Sequence, residues 1–293
     1  MPEFNLLYEM AGRLLPLECM QARFMQQALI GLLLLAPMTA AMGVQVVNFR
    51  MAFFSDAISH STFAGVALGL LFSIHPHWSM LVFGAVVGLG IAAVQRRTDL
   101  SPDAVIGVFF SAVVPFGLAV VSRERNLARD MQRFLYGDIL TISNGEILGL
   151  MILFAALALF QFWGYNRMLY IGLNASLAQV HRVQTACYQY GFAVLLSCVV
   201  IFSVWAVGVL LVTALLIVPA AAARNIARSA GGMFWWALVI SSTSAVAGLL
   251  ISAQEWARTA TGATVILAAF GWFMLSLLPF WRKGSSSRQG KPL

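Results

Sequence analysis

Asp56 and His60 stand four residues apart in the run Arg50-Met-Ala-Phe-Phe-Ser-Asp56-Ala-Ile-Ser-His60-Ser-Thr-Phe-Ala-Gly65. On a helix turning 100° per residue they are about 40° apart and share a face. Asp56 is the only acid between Glu18 and Asp99. A carboxylate at the centre of a membrane helix costs roughly 2.5–3.5 kcal/mol on insertion scales, so it is expected to face the bundle interior and to act there. Carboxylate oxygen together with imidazole nitrogen suits Zn, Mn or Fe(II). Two ligands from one chain are too few to trap an ion, which is what a pathway requires. If two copies meet across a symmetry axis, two Asp and two His converge into a four-ligand site selective against Cu(I). The histidine must be neutral to ligate, so acid pH is expected to weaken the interaction. The competing interpretation pairs Asp56 with Arg50 near the membrane surface and gives His60 a backbone carbonyl on a neighbouring helix. Six residues amount to about 240° of rotation, which places Arg50 and Asp56 on different faces, although a long arginine bends around part of that angle.

Ser55, Ser59, Ser61 and Thr62 surround the pair and either line a wet path or bond back to their own helical turn. Met51 is a soft donor beside them, and packing is its simpler role. His75-Pro76-His77 forms a second short motif, read either as an ordinary polar turn or as a place where an ion is caught from outside.

The elements that hold these residues follow from composition. Of the 293 residues 60% are hydrophobic and 10% charged, against roughly 25% charged in a soluble domain. Lipid is therefore the expected solvent. Apolar runs occupy 24–48, 51–74, 78–94, 103–121, 145–164, 188–204, 206–223, 233–253 and 262–281. Each approaches the ~20 residues that cross a bilayer. The expected fold is an all-α polytopic transmembrane bundle of about 8–9 spans, the short break at 205–207 leaving open a re-entrant or interfacial piece. Arg96 with Arg97, Arg167 with Arg182, Arg224 with Arg228, and Arg282-Lys283 fall on one side of a nine-span scheme, which marks that side as cytoplasmic. Arg123, Arg125, Arg129 and Arg133 fall on the other side and run against the scheme.

The domain limits expected are an N-terminal interfacial segment over 1–21, a transmembrane domain over 22–281 and a disordered basic tail over 282–293. Residues 1–20 carry Glu3, Glu9, Arg13 and Glu18 and show no cleavable leader. The net charge of +7 resides mainly in breaks and tail, the pattern of topology signals and lipid contacts and not of a nucleic-acid face. Cys19, Cys187 and Cys198 have no CxxC spacing and read as packing residues. No G-x-x-x-x-G-K-[ST] pattern occurs, so ATP hydrolysis by a P-loop is not expected of this chain. Gly65-x-x-x-Gly69 and Gly84-x-x-x-Gly88 fit close helix packing. Pro219 within an apolar run is expected to kink its helix or free a carbonyl.

The stretch Gly43-Val-Gln-Val-Val-Asn-Phe-Arg50-Met-Ala-Phe-Phe-Ser-Asp56-Ala-Ile-Ser-His60-Ser-Thr-Phe-Ala-Gly65-Val-Ala resembles the signature of the zinc/manganese-type ABC importer permeases. Three further stretches resemble that family in the same order: Leu100-Ser-Pro-Asp103-Ala-Val-Ile-Gly107, Tyr136-Gly137-Asp138-Ile-Leu, and Val207-Gly208-Val-Leu-Leu-Val-Thr-Ala-Leu-Leu-Ile-Val-Pro219-Ala-Ala-Ala-Ala-Arg224. The resemblance covers about 24–278. It implies a type II ABC importer permease that is no enzyme itself, with Asp56 and His60 on the second helix in the metal path. It also implies no permanently bound cofactor, a second permease copy or homologue, two cytoplasmic ATP-binding subunits, and an extracytoplasmic metal-binding protein that delivers the ion. A bacterial inner membrane is the implied location. The family's coupling segment to the ATPase matches Ile171-Gly-Leu-Asn174-Ala-Ser-Leu-Ala178-Gln-Val-His181-Arg182, with Arg182 where a glycine is usual, and Asn174, Ala178, His181 and Arg182 are its candidate contacts. Before the last span the family's acidic residue and Pro-Gly are reduced here to Gly262.

Three functions are compatible with these residues. An ABC permease for zinc, manganese or ferrous iron ranks first. A secondary transporter exchanging metal for protons through Asp56 and His60 ranks second. A membrane metalloenzyme ranks last, because no third ligand or general base accompanies the pair on its helix.

Overall fold

The computed structural model describes residues 8, 18–122, 139–257 and 259–286. Nine long helices make up the described chain: α1 (Arg23–Asn48), α2 (Phe54–Leu71), α3 (Pro76–Arg97), α4 (Pro102–Val121), α5 (Asn144–Leu173), α7 (Thr185–Val207), α8 (Val209–Ile226), α9 (Ala230–Ser252) and α10 (Thr261–Ser286), with a short α6 (Ala175–Val180) between α5 and α7. Single 3₁₀ turns, Glu18–Gln21 and Ile139–Thr141, precede α1 and α5. Eight of the helices are long and apolar enough to cross a membrane, and the remaining long one, α2, carries Asp56 and His60.

Local chemistry sets the boundaries. Ser101 caps α4 by accepting from the Ala104 N–H, with Pro102 at the first helical position. Ser143 and Glu146 form a reciprocal capping box at the start of α5. Ser229 accepts from the Gly232 N–H at the start of α9. Between α7 and α8 the chain turns on one residue, Gly208, at φ 88 and ψ 161, a conformation open essentially to glycine alone. The expected break at 205–207 thus lies at Gly208, and α7 and α8 are two separate helices.

The helix ends gather at two poles. At one, residues from 48–50, 166–173 and 224–230 line a common cavity. At the other, His77, Ser143, Glu146, Phe202 and Trp205 line a second. Gln27 of α1 donates to Asn144 Oδ1, which places the start of α1 at the second pole. Gly262 of α10 lies against Leu211 near the start of α8, which places the start of α10 there too. The nine helices therefore alternate in direction, and Arg50, Arg96, Arg97, Arg167, Arg182, Arg224 and Arg228 share the first pole. The positive-inside rule assigns that pole to the cytoplasm. Arg123, Arg125, Arg129 and Arg133, the Tyr136-Gly137-Asp138 motif and positions 287–293 of the expected tail lie outside the described residues; α10 runs on to Ser286.

α1 sits at the centre, buried over 72% of its most apolar stretch and packed by α5, α8 and α9, whereas α4 is buried over only 22%. Lipid supplies no hydrophobic drive between helices, so close approach through small residues does that work. A Cβ on Gly65 of α2 would sit 2.5 Å from Met80 Cα of α3, and one on Gly248 of α9 would sit 2.5 Å from Val265 Cα of α10. Gly43 of α1 meets the Leu216 carbonyl of α8 still more closely. Gly84 and Gly88 turn toward Ile201 and Ser197 of α7, so both small-residue motifs are packing seams.

Candidate functional site

A tight turn after α1 aims α2. The Met51 N–H returns to the Val46 carbonyl, the Phe54 N–H to the Met51 carbonyl, and Arg50 takes a left-handed φ of 56. Asp56 and His60 occupy the first two turns of α2 and are half-buried. Their depth follows from their neighbours. The Phe54 ring lies against Gly88, nine residues and about 13 Å along α3 from Arg97. The His60 ring meets Phe110 edge-on at 5.2 Å and Phe63 at 5.9 Å. Phe110 is eight residues, about 12 Å, into α4. The pair is therefore inside the bundle and not at its rim.

Asp56 makes no ion pair or hydrogen bond with Arg50 or with any other described residue, and His60 donates to no backbone carbonyl. Both halves of the structural alternative are absent among the described residues. Ser61 and Thr62 do bond back, each hydroxyl donating to the Ile58 carbonyl. Ser55 and Ser59 differ: both are fully buried, and neither Oγ has a partner among the described residues. One turn apart on α2, they add two orphan hydroxyls beside the Asp–His face, a polar surface of the sort a passing hydrated ion uses. Met51 is buried in the core cluster. Among the described residues no three His, Cys, Asp or Glu side chains come together to hold an ion. Asp56 and His60 of one chain would by themselves be an incomplete ligand set.

At the cytoplasmic pole α6 stands directly after α5. Asn174 caps it, its side-chain oxygen accepting from the Ser176 and Leu177 N–H groups. Ala178 is buried, anchoring the short helix, while His181 and Arg182 are exposed. Arg182 has a φ of 58, with its N–H on the Gln179 carbonyl and that of Val183 on the Ala178 carbonyl. This left-handed closure is a conformation glycine adopts most readily. Leu173, Leu177 and Val180 are 84%, 55% and 78% exposed around it, an uncovered apolar surface beside basic residues. Pro219 lies buried within an uninterrupted α8.

The outer pole holds a constellation that spacing alone did not reveal. The His75 and His77 rings stack at 5.1 Å, and His77 meets Trp205 of α7 edge-on at 3.9 Å. Trp205 Nε1 donates to Glu146 Oε1 at 2.5 Å. The other Glu146 oxygen accepts from the Ser143 N–H at 2.6 Å. The S-x-x-E capping box at 143–146 is local, whereas its meeting with α3 and α7 is a tertiary fact.

A polytopic helical membrane protein with an acid and a histidine side by side inside it is the class that fold and site define. Residues 21–279 match the family described as ABC 3 transport family. Over 252 residues the chain is 31% identical to the high-affinity zinc uptake system membrane protein ZnuB of Haemophilus influenzae, covering 85% of this chain and 95% of that protein. It is 27% identical to the manganese transport system membrane protein MntC of Listeria monocytogenes, over 88% of this chain and 91% of the other. Among solved structures, PsaBC from Streptococcus pneumoniae in complex with Fab superposes with a TM-score of 0.75 at 25% identity, over 94% of this chain and 95% of that one. The chain belongs to the ABC 3 transport family, and it is a multi-pass membrane transporter subunit rather than an enzyme.

Proposed function

We propose that this chain is the membrane-spanning permease of an ATP-driven importer for divalent transition metal ions, zinc or manganese in the first place and ferrous iron as a third candidate. The observation that carries the proposal is the Asp56–His60 pair, half-buried inside the bundle and, among the described residues, without a salt bridge to Lys or Arg. An ionisable pair held in that position is costly unless an ion uses it. The relatives named for zinc and for manganese uptake support the cargo class.

In this proposal Asp56 and His60 of two permease copies, or of this chain and a homologue, supply a transient four-ligand site. Two cytoplasmic ATP-binding subunits dock on α6, where Asn174 holds the helix, Ala178 anchors it and His181 and Arg182 meet the partner together with the exposed Leu177 and Val180. An extracytoplasmic metal-binding protein delivers the ion at the opposite pole, and the assembly resides in a bacterial inner membrane. No cofactor is retained; the metal is cargo.

Co-expression with ATP-binding subunits tests this. Metal uptake is expected only when the partner's ATP site is intact, and competition among zinc, manganese and iron(II) then orders the cargo. Uptake by this chain alone, driven by a pH gradient, would instead establish the proton-coupled secondary transporter and refute the ATP-driven one.

A further inference from the structure

We propose that the extracytoplasmic mouth carries a second, weak divalent-metal site, formed by the imidazoles of His75 and His77 with the Glu146 carboxylate as charge partner and Trp205 as the group that positions them. Its role in delivering ions inward rests on the importer proposal; its ability to bind metal does not.

Three helices converge to make it. His75 is exposed on the turn before α3 and His77 is half-buried in the first turn of α3. Their rings face each other at 5.1 Å, inclined by only 30°. Two imidazoles at that separation offer nitrogen donors of the kind zinc, cobalt(II) and iron(II) accept. Glu146 enters from α5 and is fixed at both oxygens, by Trp205 Nε1 and by the Ser143 N–H. An ionised carboxylate accepts at about four lone-pair positions, so capacity remains after those two bonds. Trp205 joins the parts by touching His77 with its ring and Glu146 with its N–H. Beside them lies a cavity of about 390 Å³, bordered by His77, Glu146 and Trp205, which has room for an ion that keeps several waters.

Weak binding is built in. Both His77 and Glu146 stand in the first turns of their helices, whose N-terminal dipole ends disfavour a cation. Two imidazoles and water also fall short of the closed four-ligand shell of a structural zinc site. Such a site catches and releases. It also lies on the way inward: Gly84, seven residues or about 10 Å along α3 from His77, packs against Ser61, the neighbour of His60.

The test is cobalt(II) titration of the purified full-length chain in lipid nanodiscs, read by visible d–d absorption. In the Asp56→Asn/His60→Ala background, which removes the inner pair, a saturable nitrogen-ligated cobalt band is expected to persist. Adding His75→Gln and His77→Gln should abolish it, and Glu146→Gln should weaken it several-fold. No saturable band in that background, or the same band after both histidines are replaced, overturns the site. In the assembled transporter His75→Gln/His77→Gln should raise the metal concentration for half-maximal uptake several-fold while the maximal rate is largely kept. An unchanged half-maximal concentration removes the delivery role. Should uptake prove independent of ATP, the importer proposal falls while the cobalt result still decides the site.

Discussion

His60 and Asp56 were readable as a pair from a four-residue spacing, and the fact that Asp56 has no salt bridge to Lys or Arg among the described residues was not. The six-residue offset already argued that Arg50 points elsewhere, but only the turn at 49–53, with Arg50 held left-handed, shows how the chain separates them. The serines show the same limit. Ser55, Ser59, Ser61 and Thr62 look equivalent in the sequence, yet two bond back to Ile58 and two are buried without partners. Hydroxyls that satisfy a local carbonyl are helix decoration, whereas orphan ones carry a desolvation cost of about 1–3 kcal/mol each. Ser55→Ala and Ser59→Ala are therefore expected to keep or slightly raise the detergent melting temperature while slowing metal uptake. A fall in melting temperature with normal uptake would make both hydroxyls structural. His60→Ala, which removes a proposed ligand, should lower uptake by at least the roughly 10–100-fold lost when a mere supporting group of a metal site is removed. Its expression and monodispersity in size-exclusion chromatography should match the wild type.

The helices themselves were largely legible, because runs of apolar residues report the hydrocarbon thickness directly. Their overshoot was not. Hydropathy ended the fifth run at 164, where Tyr165, Asn166 and Arg167 interrupt it, but α5 continues to Leu173. Backbone hydrogen bonding persists beyond the lipid, and polarity marks only where the solvent changes. Conversely, the 205–207 break looked too short for a loop, and the chain reverses there through Gly208 alone. Gly208→Ala should misplace α7 against α8, since a side chain at φ 88 is strained wherever it points, and loss of monodisperse protein would show it. Arg182, also left-handed, predicts the opposite. Arg182→Gly relieves a conformational cost of about 1–2 kcal/mol and should raise thermal stability while testing whether the guanidinium is needed for ATPase docking. Reduced ATPase co-purification with higher stability would assign Arg182 to the contact.

At the scale of the whole molecule, counting nine runs grouped the paired arginines on one side, and the described helix ends bring Arg50, Arg96, Arg97, Arg167, Arg182, Arg224 and Arg228 to one pole. The two poles hold different cavities, one bordered by Arg50, Arg224 and Arg228 and the other by His77, Glu146 and Trp205. Single cysteines at 75 and 179 in an otherwise cysteine-free chain should be modified by a membrane-impermeant maleimide from opposite sides, outside and inside respectively. Labelling of both from one side would contradict the alternation of helices. In the proposed importer the rest of the ligand set is supplied by a second subunit across an interface, which a single chain does not display.

The most direct test of the central claim is energised metal uptake by the assembled transporter carrying Asp56→Asn, measured with radioactive zinc and manganese beside wild type at equal expression. Uptake of both ions should collapse to the level of an ATPase-dead control, while subunits still co-purify and ATP hydrolysis remains measurable. Wild-type uptake by Asp56→Asn would contradict the account, since the acid that shares a helix face with His60 would then have no part in moving an ion.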